Sequence, residues 1–129
     1  MLEYIERTDK KFNKTFKDYF IKQGDTFGLT ATIEEISNGA TGTNVNAESV
    51  EKLVFELLKQ VTDCELEQVF IKDYVLINNV WVLDVRSNET ALWEKTCELN
   101  DTPYKYRVKV VYVDGDSIEV TTANFTVES

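Results

Sequence analysis

The stretch of sequence that decides the fold is residues 104–127, which read YKYRVKVVYVDGDSIEVTTANFTV. At its start, apolar or aromatic side chains alternate with basic ones, the first set being Tyr104, Tyr106, Val108, Val110 and Tyr112 and the second Lys105, Arg107 and Lys109. Successive side chains of a β-strand point to opposite faces of the sheet, so this alternation predicts a strand with one apolar face. An Asp-Gly pair at 114–115 and a second β-rich run at 117–127 follow. Together they predict a β-hairpin with a type I′ turn, in which both central residues take positive φ.

Three earlier segments are also typical of strands. Residues 27–33 and 81–85 place apolar side chains at every second position. Residues 48–60 contain Leu53, Phe55 and Leu57 at the same spacing, but this segment is also compatible with a helix. Several short strands separated by turns predict an all-β protein, built as an antiparallel sandwich or barrel.

The remaining local signals are turns and one helical turn. Residues 23–25 and 37–46 are rich in Gly, Asn, Asp, Ser and Thr, which favour turns and loops. Residues 87–95 predict a short helical turn that Ser87 is able to cap, with Glu89 in its first turn near the positive end of the helix dipole.

The length and composition indicate a single domain over residues 1–129, in which residues 1–17 can form an N-terminal arm or helix. Hydrophobic residues make up 43% of the chain, enough to fill a core. No apolar run approaches the ~20 residues that a membrane span requires. The start of the chain is charged and lacks the apolar core of a signal peptide.

The charge is acidic and uneven. Residues 1–24 carry a net charge of +2, whereas residues 25–129 carry −11, which gives −9 for the whole chain. An acidic body repels the phosphates of nucleic acid, so we expect no nucleic-acid partner.

The sequence offers little of the chemistry that enzymes use. It contains no histidine, so the commonest general base and metal ligand are missing, and its five glycines form no phosphate-binding loop. Asp114 and Asp116 resemble part of a calcium loop, but the twelfth position is Phe125 instead of the required Glu. We therefore expect no enzymatic activity, no cofactor, no metal and no small-molecule ligand.

The two cysteines and the two tryptophans are all interpreted as residues that contribute to the fold and not to a binding or catalytic site. Cys64 and Cys97 are expected to be buried or half-buried thiols, and their spacing leaves open whether they pair. Trp81 is in phase with the apolar face of its strand, and Trp93 is expected to close one end of the sandwich. Exposed tryptophan or tyrosine rings would instead suggest a platform for binding sugars.

Several motifs together resemble a known family. Residues 20–29, FIKQGDTFGL, are similar to the opening strand pair of phage baseplate and tail immunoglobulin-like domains, such as the N-terminal domain of baseplate upper proteins. Residues 81–85 and the SNETA that begins at Ser87 resemble the strand and the following turn of these domains. The Y-x-Y-x-V at 104–108, Asp114-Gly115 and the closing F-x-V at 125–127 follow in the same order. Ala123-Asn124 and Thr102-Pro103 stand where these domains usually have glycine.

The resemblance, which covers residues 18–35 and 79–128, implies an immunoglobulin-like β-sandwich that serves as a phage structural component. It implies a virion protein of the tail or baseplate, which is found in the virion or in the host cytoplasm before assembly. Its partners would be other phage structural proteins or further copies of itself, with no membrane involved.

Partner contacts are expected in the basic N-terminal segment, at Lys10, Lys11, Phe12 and Phe16, although Phe12 and Phe16 could instead dock an N-terminal helix on the core. Exposed sheet edges are a second candidate surface, because they can add a strand from a neighbour. Two other functions remain open: a carbohydrate-binding module, or an acidic inhibitor or DNA mimic from a mobile element.

Overall fold

The computed structural model describes residues 2–11, 14–32 and 49–129. Within these ranges the strands are β1 (Glu3–Asp9), β2 (Lys14–Lys22), β3 (Phe27–Thr32), β4 (Val50–Thr62), β5 (Glu65–Asp73), β6 (Val75–Ile77), β7 (Val80–Val85), β8 (Tyr104–Tyr112) and β9 (Ser117–Glu128). A short helix, α1 (Ser87–Thr90), and a 3₁₀ turn (Thr96–Leu99) connect β7 to β8. The predicted loop at residues 37–46, Ile33 and the predicted contact Phe12 lie outside the described residues.

The strands form two sheets. One sheet has six strands in the order β1-β2-β9-β8-β4-β5, and the other has three in the order β3-β7-β6. Among the described strands, every pair is antiparallel except β2 and β9, which are parallel. The orders β9-β8-β4-β5 and β3-β7-β6 correspond to strands G-F-C-C′ and B-E-D of the immunoglobulin fold. The predicted all-β sandwich is thus confirmed, with an immunoglobulin-like strand order, whereas the parallel β2–β9 pair departs from the predicted antiparallel arrangement.

The core lies between the two sheets and consists largely of aromatic rings. Phe27, Phe55 and Phe125, from three different strands, have ring centroids 5.5 to 6.2 Å apart. Trp93, from the β7–β8 connection, lies 6.0 Å from Phe27 and 5.8 Å from Phe125. Aromatic pairs at these distances contribute beyond their buried area. Trp81 and Trp93 are both buried, as expected for core residues.

A tyrosine at the start of β8 connects this strand to the segment before it. The Tyr104 hydroxyl donates a hydrogen bond to the Glu94 carbonyl oxygen at 2.8 Å, ten residues upstream. Immunoglobulin domains have a tyrosine corner of this kind at the start of strand F, two residues before a core cysteine. Here the second position is Tyr106, which stacks on Phe55 with 14° between the ring planes. An aromatic ring therefore stands at the position of that cysteine, and its stacking partner lies on the neighbouring strand β4 of the same sheet.

The turns of the β8–β9 and β6–β7 hairpins differ in type. The predicted β8–β9 hairpin is confirmed, but its type I′ turn is wrong, because only Gly115 has positive φ (+94°). Its loop has three residues between Tyr112 and Asp116, and glycine supplies the left-handed one. The two-residue turn with positive φ at both positions instead joins β6 to β7, at Asn78 (50°) and Asn79 (65°).

The predicted helical turn is present as α1, but its N-cap is Arg86, one residue before the expected cap Ser87. The Glu89 side chain accepts a hydrogen bond from the Arg86 backbone N–H at 3.0 Å. Ser87 lies inside the helix. Residues 50–62 form a strand, so the helical alternative for this segment is wrong.

The N-terminal segment is a β-hairpin, so the helix considered for residues 1–17 is wrong. Strands β1 and β2 pair over seven residues, from Glu3↔Phe20 to Asp9↔Lys14, without a register shift. The four-residue spacing of Phe12 and Phe16 suits a helix, but pairing between β2 and β9 outweighs this local preference.

Candidate protein-binding surfaces

The β1–β2 hairpin is attached to the sandwich through β9 and β8. Parallel pairing sets Tyr19 opposite Phe125, and the Tyr106 hydroxyl donates a hydrogen bond to the Lys17 carbonyl oxygen. The Asp18 carboxylate accepts hydrogen bonds from the Asn124 backbone N–H at 3.0 Å and from Arg7 Nε at 3.2 Å. These contacts give β2 a fixed position, and β1 then forms the outer edge of the six-stranded sheet.

Hydrogen-bond donors around Asp18 favour the ionised form of its carboxyl group. Loss of solvent around the carboxyl works to raise its pKa, but the hydrogen bonds from Arg7 and the Asn124 amide outweigh that effect and lower the pKa below its ordinary value. The Arg7 guanidinium also lies 5.1 Å from the centre of the Phe16 ring. The outward face of the hairpin therefore carries an ordered ionic and cation–π arrangement.

The predicted contact residues have different positions on this hairpin. Lys10 and Lys11 lie in the β1–β2 turn and are exposed, and the Lys11 backbone N–H donates a hydrogen bond to the Asp9 carboxylate at 3.0 Å. Phe16 lies in β2, where it is half-buried and packs against the core. Phe12 is outside the described residues. Whether these residues contact a partner stays a prediction.

Strand β1 is exposed along nearly its whole length. Residues Glu3 to Thr8 are all exposed, and Tyr4 and Ile5 retain 53% and 60% of their accessible surface. Within the described ranges, β1 pairs with β2 on one side and with no strand on the other. It is therefore a regular edge strand that combines unpaired backbone groups with apolar side chains.

The other end of the same sheet has a different kind of edge. Strand β5 carries exposed Leu66, Val69 and Ile71, but its pairing with β4 shifts register twice, at Leu57/Leu58 and at Gln60/Thr62. Bulges of this kind bend an edge and hinder further strand pairing. At the edge of the smaller sheet, β6 is only three residues long, and all three are exposed.

An ionic cluster lies on the outer face of the six-stranded sheet. Leu53, Phe55 and Leu57 belong to the core, so the alternate β4 residues face outward, yet Glu56 is only 5% exposed. Its carboxylate contacts Arg107 Nη2 at 2.8 Å and Lys109 Nζ at 3.2 Å. Desolvation works to raise the pKa of Glu56, but hydrogen bonds from these two cations outweigh it and lower the pKa.

The cysteines do not behave as predicted. Cys64, in the β4–β5 turn, and Cys97, in the 3₁₀ turn, are both free and exposed. The expectation of buried or half-buried thiols is wrong, because both residues lie in connections that face solvent instead of in the strands that form the core.

Other kinds of site are not found in the described part of the chain. There, no group of three His, Cys, Asp or Glu side chains is placed to hold a metal ion. Among the same residues, no helix has the length and apolar character needed to cross a membrane.

Comparison with known proteins gives no match: neither a protein-family model nor a curated protein matches this chain. The fold is therefore assigned from the strand order.

Sequence reasoning missed two features of these surfaces. Strand β1 was not recognised because Glu3, Glu6 and Arg7 interrupt its apolar pattern, although Tyr4 and Ile5 are residues that strands favour. Glu56 was not singled out among 23 acidic residues. The sequence pattern that could have indicated its burial is a single charged residue between the apolar pairs Val54-Phe55 and Leu57-Leu58.

Proposed function

We propose that this protein is a non-enzymatic structural component of a phage or prophage particle, in the tail or baseplate, and that it acts through protein–protein contacts. The observation that carries the assembly role is the exposed, regular edge strand β1, with Tyr4 and Ile5 open to solvent. An edge of this kind can accept a strand from another protein chain. The host cytoplasm is where the chain resides before assembly.

The setting in a phage particle is supported by the sequence motifs. The GDT motif at Gly24, the turn that begins at Ser87 and the closing segment at 125–127 resemble phage baseplate and tail domains. In the fold, these motifs lie at the β2–β3 turn, in α1 and in β9. They thus belong to the sandwich scaffold.

The absence of histidine from the whole sequence agrees with a structural role. The two buried tryptophans present no ring to a sugar, which counts against the carbohydrate-binding alternative. Exposed acidic residues occur on separate elements, including β1, β5 and the β8–β9 turn, and basic residues lie among them. That distribution is unlike the single acidic face expected of a DNA mimic.

Mass spectrometry of purified particles tests the proposal. After prophage induction in the source strain, particles are purified by density gradient, and this chain is quantified against an abundant structural protein. A fixed stoichiometric ratio across gradient fractions is the expected result. Recovery only in the soluble lysate would overturn the virion role.

Deletion of the gene provides a second test. Particles from the deleted prophage should lack a tail or baseplate part in electron micrographs and should regain it when the gene is supplied in trans. Particles with normal structure, composition and infectivity would contradict a structural role.

A further inference from the structure

The sheet edges differ in how well they can pair with another strand. Strand β5 is interrupted by register shifts, β6 has three residues, and β3 carries none of the exposed large apolar side chains. Strand β1 has seven residues, pairs with β2 in unbroken register and exposes both Tyr4 and Ile5. Within the described residues, β1 is therefore the edge best suited to edge-to-edge pairing.

The sequence of β1 is self-complementary when two copies run antiparallel. If Ile5 faces Ile5 of a second copy, Glu3 faces Arg7 and Arg7 faces Glu3. These three residues share one face of the strand, because side chains alternate between faces. Directly opposed residues on one face lie close enough to interact, and opposite charges there are favourable. We propose that β1 binds β1 of a second copy of this chain, about a two-fold axis at Ile5.

The side chains at this register are available for such pairing. Glu3, Ile5 and Arg7 are all exposed. The guanidinium of Arg7 carries five N–H donors, and its contact with Asp18 uses Nε and Nη2. The contact with Asp18 holds Arg7 on the outward face of the sheet, where Glu3 of the second copy would lie. The result is a continuous sheet through both copies.

The charge distribution also favours this surface for self-association. Residues 25–129 carry −11, so contact between the bodies of two copies is strongly repulsive, whereas residues 1–24 carry only +2 in each copy and repel one another much less. Joining the copies through β1 brings the N-terminal hairpins together and keeps the acidic bodies at opposite ends of the joined sheet. This inference deepens the proposed assembly function, because it names the partner of one sheet edge.

The first test is the oligomeric state of the whole chain. Sedimentation equilibrium should show a monomer–dimer equilibrium for the unchanged protein. Ile5→Lys places two like charges directly opposite each other at the axis and should weaken dimerisation about tenfold or more. Ile71→Lys, at a similarly exposed position on β5, is the matched control and should leave the dimer unchanged. Thermal unfolding of both variants checks that they remain folded.

The second test fixes the register by cross-linking. Cys64 and Cys97 are exposed, so both are first replaced by serine. In that background, Ile5→Cys places two thiols within disulfide range at the axis, and the oxidant diamide should convert the protein into a covalent dimer. Thr8→Cys is the control, because the two copies of position 8 would lie about 20 Å apart along the paired strands.

The outcomes separate this inference from the proposed function. A monomer at all concentrations, or equal weakening by Ile5→Lys and Ile71→Lys, overturns β1 pairing. Species that grow beyond a dimer would instead indicate head-to-tail contacts and also overturn it. If the protein is a monomer in solution but is present at stoichiometric abundance in particles, the virion role stands and β1 pairing is overturned. If the protein forms a β1 dimer but is absent from particles, β1 pairing stands and the virion role is overturned.

Discussion

The Glu56 carboxylate and the Arg107 guanidinium are direct cross-strand neighbours on the outer face of the larger sheet, 2.8 Å apart. Lys109, two residues further along β8, contacts the other carboxylate oxygen at 3.2 Å. One nearly buried anion thus contacts two cations that belong to a row of basic residues on β8 and offsets part of their charge. Without it, like charges would adjoin one another on a single strand.

Replacing Glu56 with Gln should destabilise the fold. The amide keeps an acceptor for Arg107 but removes the charge, so we expect the free energy of unfolding to fall by about 1–2 kcal/mol. Urea denaturation followed by tryptophan fluorescence measures it. Glu51→Gln, at an exposed position of the same strand, is the control and should change stability by less than about 0.5 kcal/mol. Equal losses for both variants would contradict the special role of Glu56.

The contribution of Glu56 should also depend on pH. Its pKa is lower in the folded state than in the unfolded chain, so protonation costs the folded state more. The stabilisation is complete above the unfolded carboxyl pKa of about 4.3 and is lost as the pH falls through the lower folded value. The difference in urea midpoint between the unchanged protein and Glu56→Gln should therefore shrink as the pH falls from 6 to 2. A difference that persists at pH 2 would contradict this ionic origin.

The tyrosine at the start of β8 should contribute through its hydroxyl. Tyr104→Phe keeps the ring in the core but leaves the Glu94 carbonyl oxygen without this donor. We expect the free energy of unfolding to fall by about 1 kcal/mol. Tyr4→Phe removes the hydroxyl of an exposed ring and serves as the control. If Tyr104→Phe unfolds at the same urea concentration as the unchanged protein, the hydrogen bond contributes nothing to stability.

The Asn78-Asn79 turn allows a prediction about backbone conformation. Asn79 has φ +65°, a conformation that costs most non-glycine residues energy. Asn79→Ala should lower the free energy of unfolding by about 1 kcal/mol, whereas Asn79→Gly should maintain or raise it, because glycine favours this turn type. Asn88→Ala, in α1, is the matched control. Equal stability of the Ala and Gly variants would contradict the turn geometry.

Sequence reasoning predicted the regions in which local pattern and tertiary environment agree. The alternation in β8 is regular because one face packs in the core and the other is solvated, and the structure confirms it. The Asn78-Asn79 turn was not predicted, although two apolar runs flank it, because asparagine without glycine is a weaker signal of positive φ. Asp-Gly is compatible with more than one hairpin loop length, so Asp114-Gly115 does not by itself determine the turn type.

Other features depended on distant parts of the chain. Strand β2 exists because β9 pairs with it, and the Asp18 contact with Asn124 spans 106 residues, which no local pattern encodes. The buried state of Glu56 depends on neighbours from β8 in the same way. The proposed β1 surface could not be predicted until β2 had been placed, because edge position is a property of the whole sheet.

The parallel pairing of β2 with β9 has a consequence for synthesis of the protein. The ribosome makes β2 before β3 to β8, whereas β9 emerges after all of these described strands. Until then, the nascent N-terminal hairpin has no place to dock, and it remains attached to a growing acidic chain. The sheet can be completed only after translation of the last strand, so the hairpin must stay unaggregated throughout elongation. Charged residues along β1 and β2 keep the undocked hairpin hydrated and so oppose its aggregation.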